Sequence, residues 1–382
     1  MANYDYEIVN GRKIRVRPKE TVSEIDKNGY FRRQPNHFTT PFGDGENDLK
    51  AEGNKRYRLV WAKLCHWSNR AAIVRELEGL EDQISVNMVE HAPHEKNLGW
   101  EYVYNENNID PVLGDQFLSE AYYRADDDYQ GRTTVPALID TATGKVVNND
   151  YNWLTTYFEV NFRPWHKKGA PELYPVELRE EIDKMNLWLF DNINNAVYRS
   201  SFSRSNEGHF DGVNTFYAAM DRLEKRLETN RFLFGDYVTD SDIRLYVTLA
   251  RLDIRYTAQL GETKRPLYNY KNLWGYAKEL WEIPAFAHHT DFAAIIRQGR
   301  IEGEEDGFRA STHYDLALPK IDWDAQWKVL TERAYLSSDP THPIYLGNNR
   351  RFDIDPTWYD LGAESPKKEE KETPPSCGFC CG

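Results

Sequence analysis

Cysteine is scarce in this 382-residue chain, which contains four cysteines. Cys65 is the only one in the body of the sequence, while Cys377, Cys380 and Cys381 lie within the last six residues. So few cysteines exclude a disulfide-stabilised scaffold and are typical of a reducing compartment. The terminal thiols could bind a metal or form a disulfide, although thiols on a charged tail usually do neither. The histidines lack metal-ligand spacing, so no metal site is predicted.

Long hydrophobic runs are also missing, so no membrane-spanning segment is predicted. The first residues, MANYDYEIVNGRKIRVRP, lack the apolar core of a signal peptide, and we expect a cytoplasmic protein. A basic surplus is absent as well, because the formal net charge is −13. An acidic chain without a clustered basic face binds phosphate backbones poorly, which argues against nucleic acid as a partner.

The chain does have the length and the hydrophobic periodicity for two domains. From the amino terminus, the predicted segments are an irregular arm (1–54), a mixed α/β domain (55–162), a linker (163–175), a helical domain (176–300), an extension (301–362) and a disordered tail (363–382). The arm and the linker are indicated by turn residues, and the tail by its charge and proline.

The pattern of the first domain is that of a thioredoxin-like fold. Alternating residues predict strands at 57–61 and 84–88, and the segment SNRAAIVRELEGL between them has helical spacing. A helix around FLSEAYYRA, a hairpin of TTVPALID and KVVNN, and a helix in YNWLTTYFEVNF follow. The resulting order is βαβ, then α, then ββα.

The second domain is predicted to be all helical. Its three strongest segments, VELREEIDKMNLWLFDNINNAVY, NTFYAAMDRLEKRLETN and TDSDIRLYVTLARLDIRY, place apolar residues three and four apart. Thr239, with Asp242 three residues later, is typical of a capping box at the start of the third segment.

The strongest candidate for chemistry is Cys65 in the segment LCHWSNR, where the first strand meets the first helix. A cysteine at a helix start meets unpaired N–H groups and the positive end of the helix dipole, which stabilise a thiolate. Arg70 could add to this effect, and Ser68 or Asn69 could cap the helix. The alternative is a buried cysteine that packs as a small hydrophobic residue. The strand-to-helix position favours the reactive interpretation.

A second candidate is Val135-Pro136, at the start of a predicted strand. In a thioredoxin-like domain this proline is expected to be cis, with the Val135 backbone turned toward the peptide of a bound thiol. The alternative is an ordinary proline at the first residue of a strand, where it removes no ladder hydrogen bond.

With these motifs the chain resembles the glutathionyl-hydroquinone reductases, the Xi class of glutathione transferases, over roughly residues 30–300. The family's Cys-Pro-Trp-Ala, Gly-Trp, Arg-Val-Thr-Val-Pro and Asn-Asn-Glu-Ser motifs correspond to CHWS, GW, RTTVP and NNDY here. The runs LYPVELREEIDKMN, NINNAVY and TDSDIRLYVTLARLD also resemble the family's helical domain. The resemblance implies a glutathione-transferase fold and a homodimer.

The resemblance also implies that Cys65 is the catalytic nucleophile, with glutathione or a related low-molecular-weight thiol as co-substrate. It implies that the thiol is held by Trp100, Arg132, Thr134, Val135, Asp150 and Tyr151, and that Tyr198 and Tyr256 face an aromatic substrate. An arginine and backbone N–H groups suit the carboxylates of glutathione, and tyrosine hydroxyls suit a phenolic oxygen. Alternatively, Trp100 is a packed loop aromatic, Arg132 a surface charge, and the two tyrosines core or helix-surface residues.

This sequence departs from the family pattern in three places. His66 replaces the proline of the cysteine motif, and it either titrates beside the thiolate or is tolerated at the surface. Asp150-Tyr151 replaces Glu-Ser, so a phenol stands where a hydroxyl would receive the γ-glutamyl end of glutathione. A later family tyrosine, near a Tyr-Tyr-x-Ser-His stretch, has no match in IIRQGRIEGEEDGF.

We therefore predict a thiol-dependent reductase that cleaves glutathionyl-hydroquinone-type thioethers through a mixed disulfide on Cys65. Two other hypotheses stay open. One is conjugating or dehalogenating transfer of glutathione to another electrophile, which consumes one thiol where reduction consumes two. The other is a binding or assembly module that keeps the transferase fold without affinity for small thiols.

Overall fold

The computed structural model describes residues 4–17, 23–92, 97–261, 265–297, 323–327 and 333–336. The predicted disordered tail (363–382) and its three cysteines lie outside the described residues, as does most of the extension predicted at 301–362. The segment IIRQGRIEGEEDGF is described only as far as residue 297.

The amino-terminal arm contains a β-hairpin, so the prediction that it is irregular is wrong for this part. β1 (Tyr6–Val9) pairs antiparallel with β2 (Arg12–Arg15). Asn10 and Gly11 join them with φ angles of 51° and 79°, the left-handed geometry that matches the twist of paired strands. The Asn-Gly signal is present in the sequence, but β1 has only four residues and is largely exposed, so its hydrophobic pattern is short.

The α/β domain has the predicted thioredoxin-like order of elements. In chain order they are β3 (Tyr57–Trp61), α1 (His66–Leu77), β4 (Ile84–Met88), β5 (Glu90–His91), β6 (Trp100–Glu101), α2 (Leu118–Ala125), β7 (Ala137–Asp140), β8 (Lys145–Asn148) and α3 (Leu154–Val160). β3 pairs in parallel with β4 and antiparallel with β7, and β7 forms a hairpin with β8. The sheet order is thus β4-β3-β7-β8. β3 is buried along its whole length, and Ala62 and Leu64, which follow it, are also buried.

The remaining helices form the second domain. They are α4 (Arg179–Leu189), α5 (Ala196–Phe202), α6 (Asn206–Arg226), α7 (Asp240–Arg251), α8 (Thr257–Gln259), α9 (Lys271–Trp281), α10 (Pro284–His288), α11 (Phe292–Arg297) and α12 (Trp323–Trp327). Short 3₁₀ turns occur at Glu106–Asn108, Arg163–Trp165, Val176–Leu178, Leu267–Asn269 and Arg333–Leu336. None of the helices in the described part of the chain has the length and apolar character that a bilayer crossing requires.

Two helical segments are interrupted where the sequence predicts continuous helices. The segment predicted over 176–198 is divided by a π-helical turn, Phe190–Asn194, and a second π turn, Leu252–Tyr256, continues α7. Such turns change which face of a helix points inward and are frequent at functional sites. The start of α7 is as predicted, because Thr239 and Asp242 form the capping box, with the Thr239 N–H donating to the Asp242 carboxylate at 2.8 Å.

α7 holds the two domains together, and all of its residues are buried. Arg244 donates to the carbonyl of Asn152 at 2.7 Å and to Oγ1 of Thr155 at 3.1 Å. Arg251 donates to the carbonyl of Leu64 at 3.1 Å. The helical domain is therefore tied directly to the loop between β3 and α1.

Candidate active site

Cys65 is the N-cap residue of α1, with an extended backbone (φ −86°, ψ 117°) and a half-buried side chain. Its carbonyl accepts the N–H groups of Ser68 and Asn69 at 3.1 and 3.0 Å. The prediction that Ser68 or Asn69 caps the helix is therefore wrong, and both lie buried inside α1. The sulfur stands at the positive end of the helix dipole, where an anion is favoured.

The sulfur of Cys65 faces the loop before β7. Its Sγ is 3.6 Å from the carbonyl oxygen of Val135, and the peptide bond between Val135 and the following proline is cis, as predicted. The Tyr122 hydroxyl donates to the Thr134 carbonyl at 2.8 Å, and the Asn149 amide donates to Thr134 Oγ1 at 3.1 Å. These bonds fix the loop without any ligand.

Trp100 and Arg132 are two further residues that were predicted to hold the thiol. The indole N–H of Trp100 donates to the carbonyl of Thr133 at 3.0 Å, and its ring stacks on His91 with 3.7 Å between centroids. Arg132 forms a 2.7 Å ion pair with Glu24 of the arm, and its side chain is 40% exposed. The indole N–H is thus already occupied, whereas the Arg132 guanidinium is accessible to solvent.

Asp150 and Tyr151 follow β8. The Asp150 carboxylate accepts a hydrogen bond from the amide of Asn36 at 2.9 Å. The Tyr151 carbonyl accepts one from the Arg70 guanidinium at 2.5 Å, and its ring lies 4.6 Å from Trp67 between centroids. The phenol therefore packs against α1, while the carboxylate beside it is held by the arm.

His66 is the first residue of α1 and is 1% exposed. Its Nδ1 lies 3.4 Å from both the Thr248 Oγ1 and the Tyr256 hydroxyl. Burial, and then the positive charge of Arg251 and of nearby guanidinium groups, lowers the pKa of His66 well below 6.5. The imidazole is therefore neutral at physiological pH. Both predicted alternatives, titration beside the thiolate and a place at the surface, are wrong.

Tyr198 of α5 and Tyr256 at the end of the second π turn lie on the helical side of His66. Their ring centroids are 5.2 and 6.1 Å from that of the imidazole. Burial raises the pKa of both phenols, and their hydroxyls share a hydrogen bond. Both phenols therefore stay protonated at neutral pH, and because one donates to the other, the pair keeps one O–H group that can donate to an oxygen of a ligand.

Arg33 of the arm also enters the site, although sequence reasoning missed it. Its guanidinium carbon lies 4.9 Å from the ring centroid of Trp67 and 4.4 Å from that of Tyr198, and its Nε donates to Asn195 Oδ1 at 2.9 Å. An arginine in a polar, turn-rich segment has no periodic neighbours that would indicate its direction. Nothing in the sequence could have placed it.

Arg251 was missed too, although a signal was present. It is 2% exposed and donates to the Leu64 carbonyl at 3.1 Å and the Val247 carbonyl at 2.7 Å, with a further bond to the Asn69 side chain. Arg244 and Arg251 lie seven residues apart among the apolar positions of α7. A buried charge is costly unless it is hydrogen-bonded, so this spacing indicates an anchoring role.

Metal ligands do not cluster in this site. Across the residues that the structure describes, no group of three or more histidine, cysteine or carboxylate side chains is arranged to hold a metal ion. The chemistry available here is that of one thiol, the phenols of Tyr151, Tyr198 and Tyr256, the Asp150 carboxylate, a neutral imidazole and several guanidinium groups.

Known proteins share this arrangement of domains. Residues 197–279 match the family model for the glutathione S-transferase C-terminal domain. The chain is 33% identical over 240 residues to the glutathionyl-hydroquinone reductase YqjG of Escherichia coli, a match that covers 63% of this chain and 73% of the relative.

Two solved structures extend this similarity to three dimensions. The glutathione S-transferase Xi of Phanerochaete chrysosporium has a TM-score of 0.64 and 33% identity, covering 71% of this chain and 87% of that chain. The glutathione-bound structure of YqjG from Escherichia coli has a TM-score of 0.61 and 31% identity, covering 70% and 87%. The chain therefore belongs to the glutathionyl-hydroquinone reductases, the Xi class of glutathione transferases.

Proposed function

We propose that this enzyme is a glutathione-dependent reductase in which Cys65 attacks the sulfur of an aryl thioether of glutathione. The observation that carries the proposal is the position of the Cys65 sulfur. It stands at the start of α1, 3.6 Å from the Val135 carbonyl, and the next residue contacts Tyr256. A thiolate there can reach both a thiol peptide along the Val135 loop and an aromatic ring near the tyrosines.

The first step forms a mixed disulfide. The Cys65 thiolate forms a bond to the glutathionyl sulfur while the carbon–sulfur bond of the thioether breaks. In the keto tautomer the ring carbon that bears the sulfur already carries a hydrogen, so the electron pair of the broken bond passes through that carbon to the ring oxygen, which takes a proton to give the free hydroquinone. A hydrogen bond from Tyr198 or Tyr256 to the ring oxygen would stabilise the charge that develops there.

The second step regenerates the thiolate. A second glutathione thiolate attacks the glutathionyl sulfur of the mixed disulfide, which releases oxidised glutathione and the Cys65 thiolate. Each turnover thus consumes one thioether and one free glutathione, and the two sulfur atoms of oxidised glutathione account for both electrons. No other reductant is needed.

The residues around the sulfur support glutathione as the thiol. The Val135 backbone faces the sulfur, and the exposed guanidinium of Arg132 can pair with a carboxylate. The Asp150 carboxylate can accept an ammonium group beside the bond it takes from Asn36, because a carboxylate has about four lone-pair sites. The N–H group of Trp100 is occupied, so we propose that this residue contributes packing. Thr134 would position the loop, and Tyr151 would line the γ-glutamyl end.

The test is mass spectrometry of the protein after incubation with glutathionyl-hydroquinone. We expect a glutathione adduct on the wild type and none on a Cys65→Ala variant, which should also lose turnover. A variant with the other three cysteines replaced by alanine is the matched control and should behave as wild type. Full turnover by Cys65→Ala would overturn the mechanism, and a product that keeps its glutathionyl group, with no release of oxidised glutathione, would indicate conjugation.

The homodimer implied by the family resemblance is part of the same proposal. Light scattering coupled to gel filtration measures the mass directly. A mass near that of one 44.7 kDa chain would contradict it.

A further inference from the structure

Nitrogen donors without acceptors surround Trp67 on the aromatic side of Cys65. Four buried nitrogen atoms there have no hydrogen-bond partner within the described part of the chain: Arg33 Nη2, His66 Nε2, Trp67 Nε1 and Arg70 Nε. The guanidinium carbons of Arg33 and Arg70 lie 4.9 and 5.0 Å from the Trp67 ring centroid, and the His66 ring lies 4.0 Å away. Buried donors without acceptors destabilise the site. An oxygen atom from a ligand would relieve that cost.

The same region carries unbalanced positive charge. The positive charges of four arginines lower the pKa of His66: Arg251, Arg70, Arg33 and Arg255. None of the four has an ion-pair partner among the residues that the structure describes. Arg70 and Arg251 are occupied by carbonyl oxygens, whereas Arg33 is half-buried and is held through its Nε alone. Arg33 is therefore the group best able to turn toward a ligand.

We propose that Arg33, with the rings of Trp67 and Tyr198, binds a carboxylate on the aromatic ring of the substrate, so that the enzyme prefers acidic aryl thioethers. Asn195 holds the guanidinium beside Tyr198, whose ring centroid is 4.4 Å away, while the ring centroid of Tyr151 is farther, at 5.8 Å. The flanking rings suit a flat ligand, and a guanidinium suits a carboxylate. This inference rests on the proposed function and names the substrate class of that site.

The test compares two substrates that differ by one carboxylate: glutathionyl-hydroquinone and the glutathionyl thioether of 2,5-dihydroxybenzoate. We expect wild type to have the higher kcat/KM for the carboxylated thioether. Arg33→Gln should reduce this preference by about 10- to 100-fold, because a charge-assisted hydrogen bond is lost. Arg33→Lys should retain part of it.

Arg32→Gln is the matched control. It removes the same charge from the neighbouring residue, but Arg32 is 64% exposed and pairs with Asp26 at 3.0 Å, outside the site. The preference should survive in this variant. An equal fall in kcat/KM for the two thioethers in Arg33→Gln would overturn the inference. A higher KM for glutathione with either thioether would also overturn it, because Arg33 would then bind a carboxylate of glutathione.

If neither thioether is turned over, the proposed function is rejected, but the inference about Arg33 can still be tested. The test is then the binding of the two reaction products. Tryptophan fluorescence can follow binding of 2,5-dihydroxybenzoate and of hydroquinone to the full chain. We expect the acid to bind more tightly, and Arg33→Gln to weaken only the acid, by about tenfold or more. Equal affinity of wild type for the two compounds would overturn the inference.

Discussion

The two sides of Cys65 differ in how their polar groups are satisfied. On the thiol side, Thr134, Tyr122 and Asn149 bond to one another and hold the Val135 loop. On the aromatic side, buried nitrogens of Trp67 and its neighbours have no partner among the described residues. The hydrogen bonds around Thr134 are complete without a ligand, so the geometry of the Val135 loop is preset. On the aromatic side, by contrast, a ligand would supply the acceptors that the buried nitrogens lack.

The thiol side and the aromatic side also differ in how regular their backbone is. The thiol side is built on a strand start and a β-hairpin, whereas both π turns, Phe190–Asn194 and Leu252–Tyr256, lie on the aromatic side. A π turn shifts the residues after it relative to an ordinary helix. The second turn ends on Tyr256, and the first precedes Tyr198 by one turn of helix. The positions of the two phenols thus depend on irregular backbone.

The largest effect should come from removing the phenolic hydroxyls of the aromatic side. We expect Tyr198→Phe and Tyr256→Phe each to lower kcat by about 10- to 100-fold, because the two protonated phenols are hydrogen-bonded to each other and the pair donates to the ring oxygen. The KM for glutathione should change little. Steady-state kinetics with each substrate varied in turn separates the two parameters.

Tyr270→Phe is the control for these variants, since Tyr270 is a buried tyrosine whose hydroxyl has no partner within the described residues. It should retain full activity. If Tyr198→Phe or Tyr256→Phe instead raised the KM for glutathione with kcat unchanged, that phenol would belong to the thiol side, and the division drawn here would be wrong.

The next largest effect should come from a variant that breaks the hydrogen bonds of the Val135 loop. It tests whether these bonds fix the geometry of the thiol side. The Tyr122 hydroxyl donates to the Thr134 carbonyl at 2.8 Å and accepts from Asn149 at 3.2 Å. Tyr122→Phe should lower the free energy of unfolding by about 1–3 kcal/mol, because it leaves buried polar groups unpaired. It should also raise the KM for glutathione as the loop loosens. Urea denaturation and kinetics measure the two changes.

The adjacent residue supplies the comparison. The Tyr123 hydroxyl is buried without a partner among the described residues, so Tyr123→Phe should be neutral or slightly stabilising. Equal losses of stability in the two variants would mean that the ring position, and not the hydroxyl network, matters on this side.

The thiol side was the more predictable of the two from the sequence. Alternating apolar residues give the strands, and a cysteine between a strand and a helix indicates where the sulfur lies, because both patterns are local. The cis proline after Val135 follows from the thioredoxin-like order of elements. The predicted capping residues were wrong. Serine and asparagine often cap helices, but α1 begins before Ser68 and Asn69, at His66.

The aromatic side was predictable only in part, because its geometry depends on contacts distant in the chain. Tyr198 and Tyr256 came from the family resemblance alone. Arg33 reaches the site from a non-periodic arm, and the burial of His66 is caused by α7, which lies more than 170 residues later. Sequence patterns report which residues share a face of one element, and they do not report which elements meet.

A smaller effect should appear in the pH dependence of stability. In the folded protein His66 stays neutral well below pH 6.5, whereas in the unfolded chain it binds a proton near pH 6.5. The unfolded state therefore holds more protons below that pH, and the free energy of unfolding falls as the pH drops. His66→Gln should remove this contribution, which is at most about 1.4 kcal/mol per pH unit.

Chemical denaturation at several values between pH 7.5 and 5.5 measures the slope. We expect wild type to lose more stability than His66→Gln across this interval. His37→Gln, at a half-exposed histidine of the arm, is the control and should follow wild type. Parallel slopes for wild type and His66→Gln would show that the imidazole takes up its proton equally in the folded and unfolded states, and the aromatic side would then gain a positive charge as the pH falls.

The smallest effect should come from Tyr151, which stands between the two sides. Its carbonyl is tied to Arg70, while its ring packs 4.6 Å from Trp67 and 6.2 Å from Phe190 between centroids. Because the ring packs on Trp67 and Phe190, we expect Tyr151→Ser, which restores the family residue, to lower the KM for glutathione by about two- to fivefold through one new hydroxyl contact at the γ-glutamyl end. Tyr151→Ala should not share this gain, and Tyr151→Phe should resemble wild type. A higher KM for glutathione in Tyr151→Phe would instead mean that the phenol hydroxyl itself holds the γ-glutamyl end, and that Tyr151 replaces the serine of the family motif.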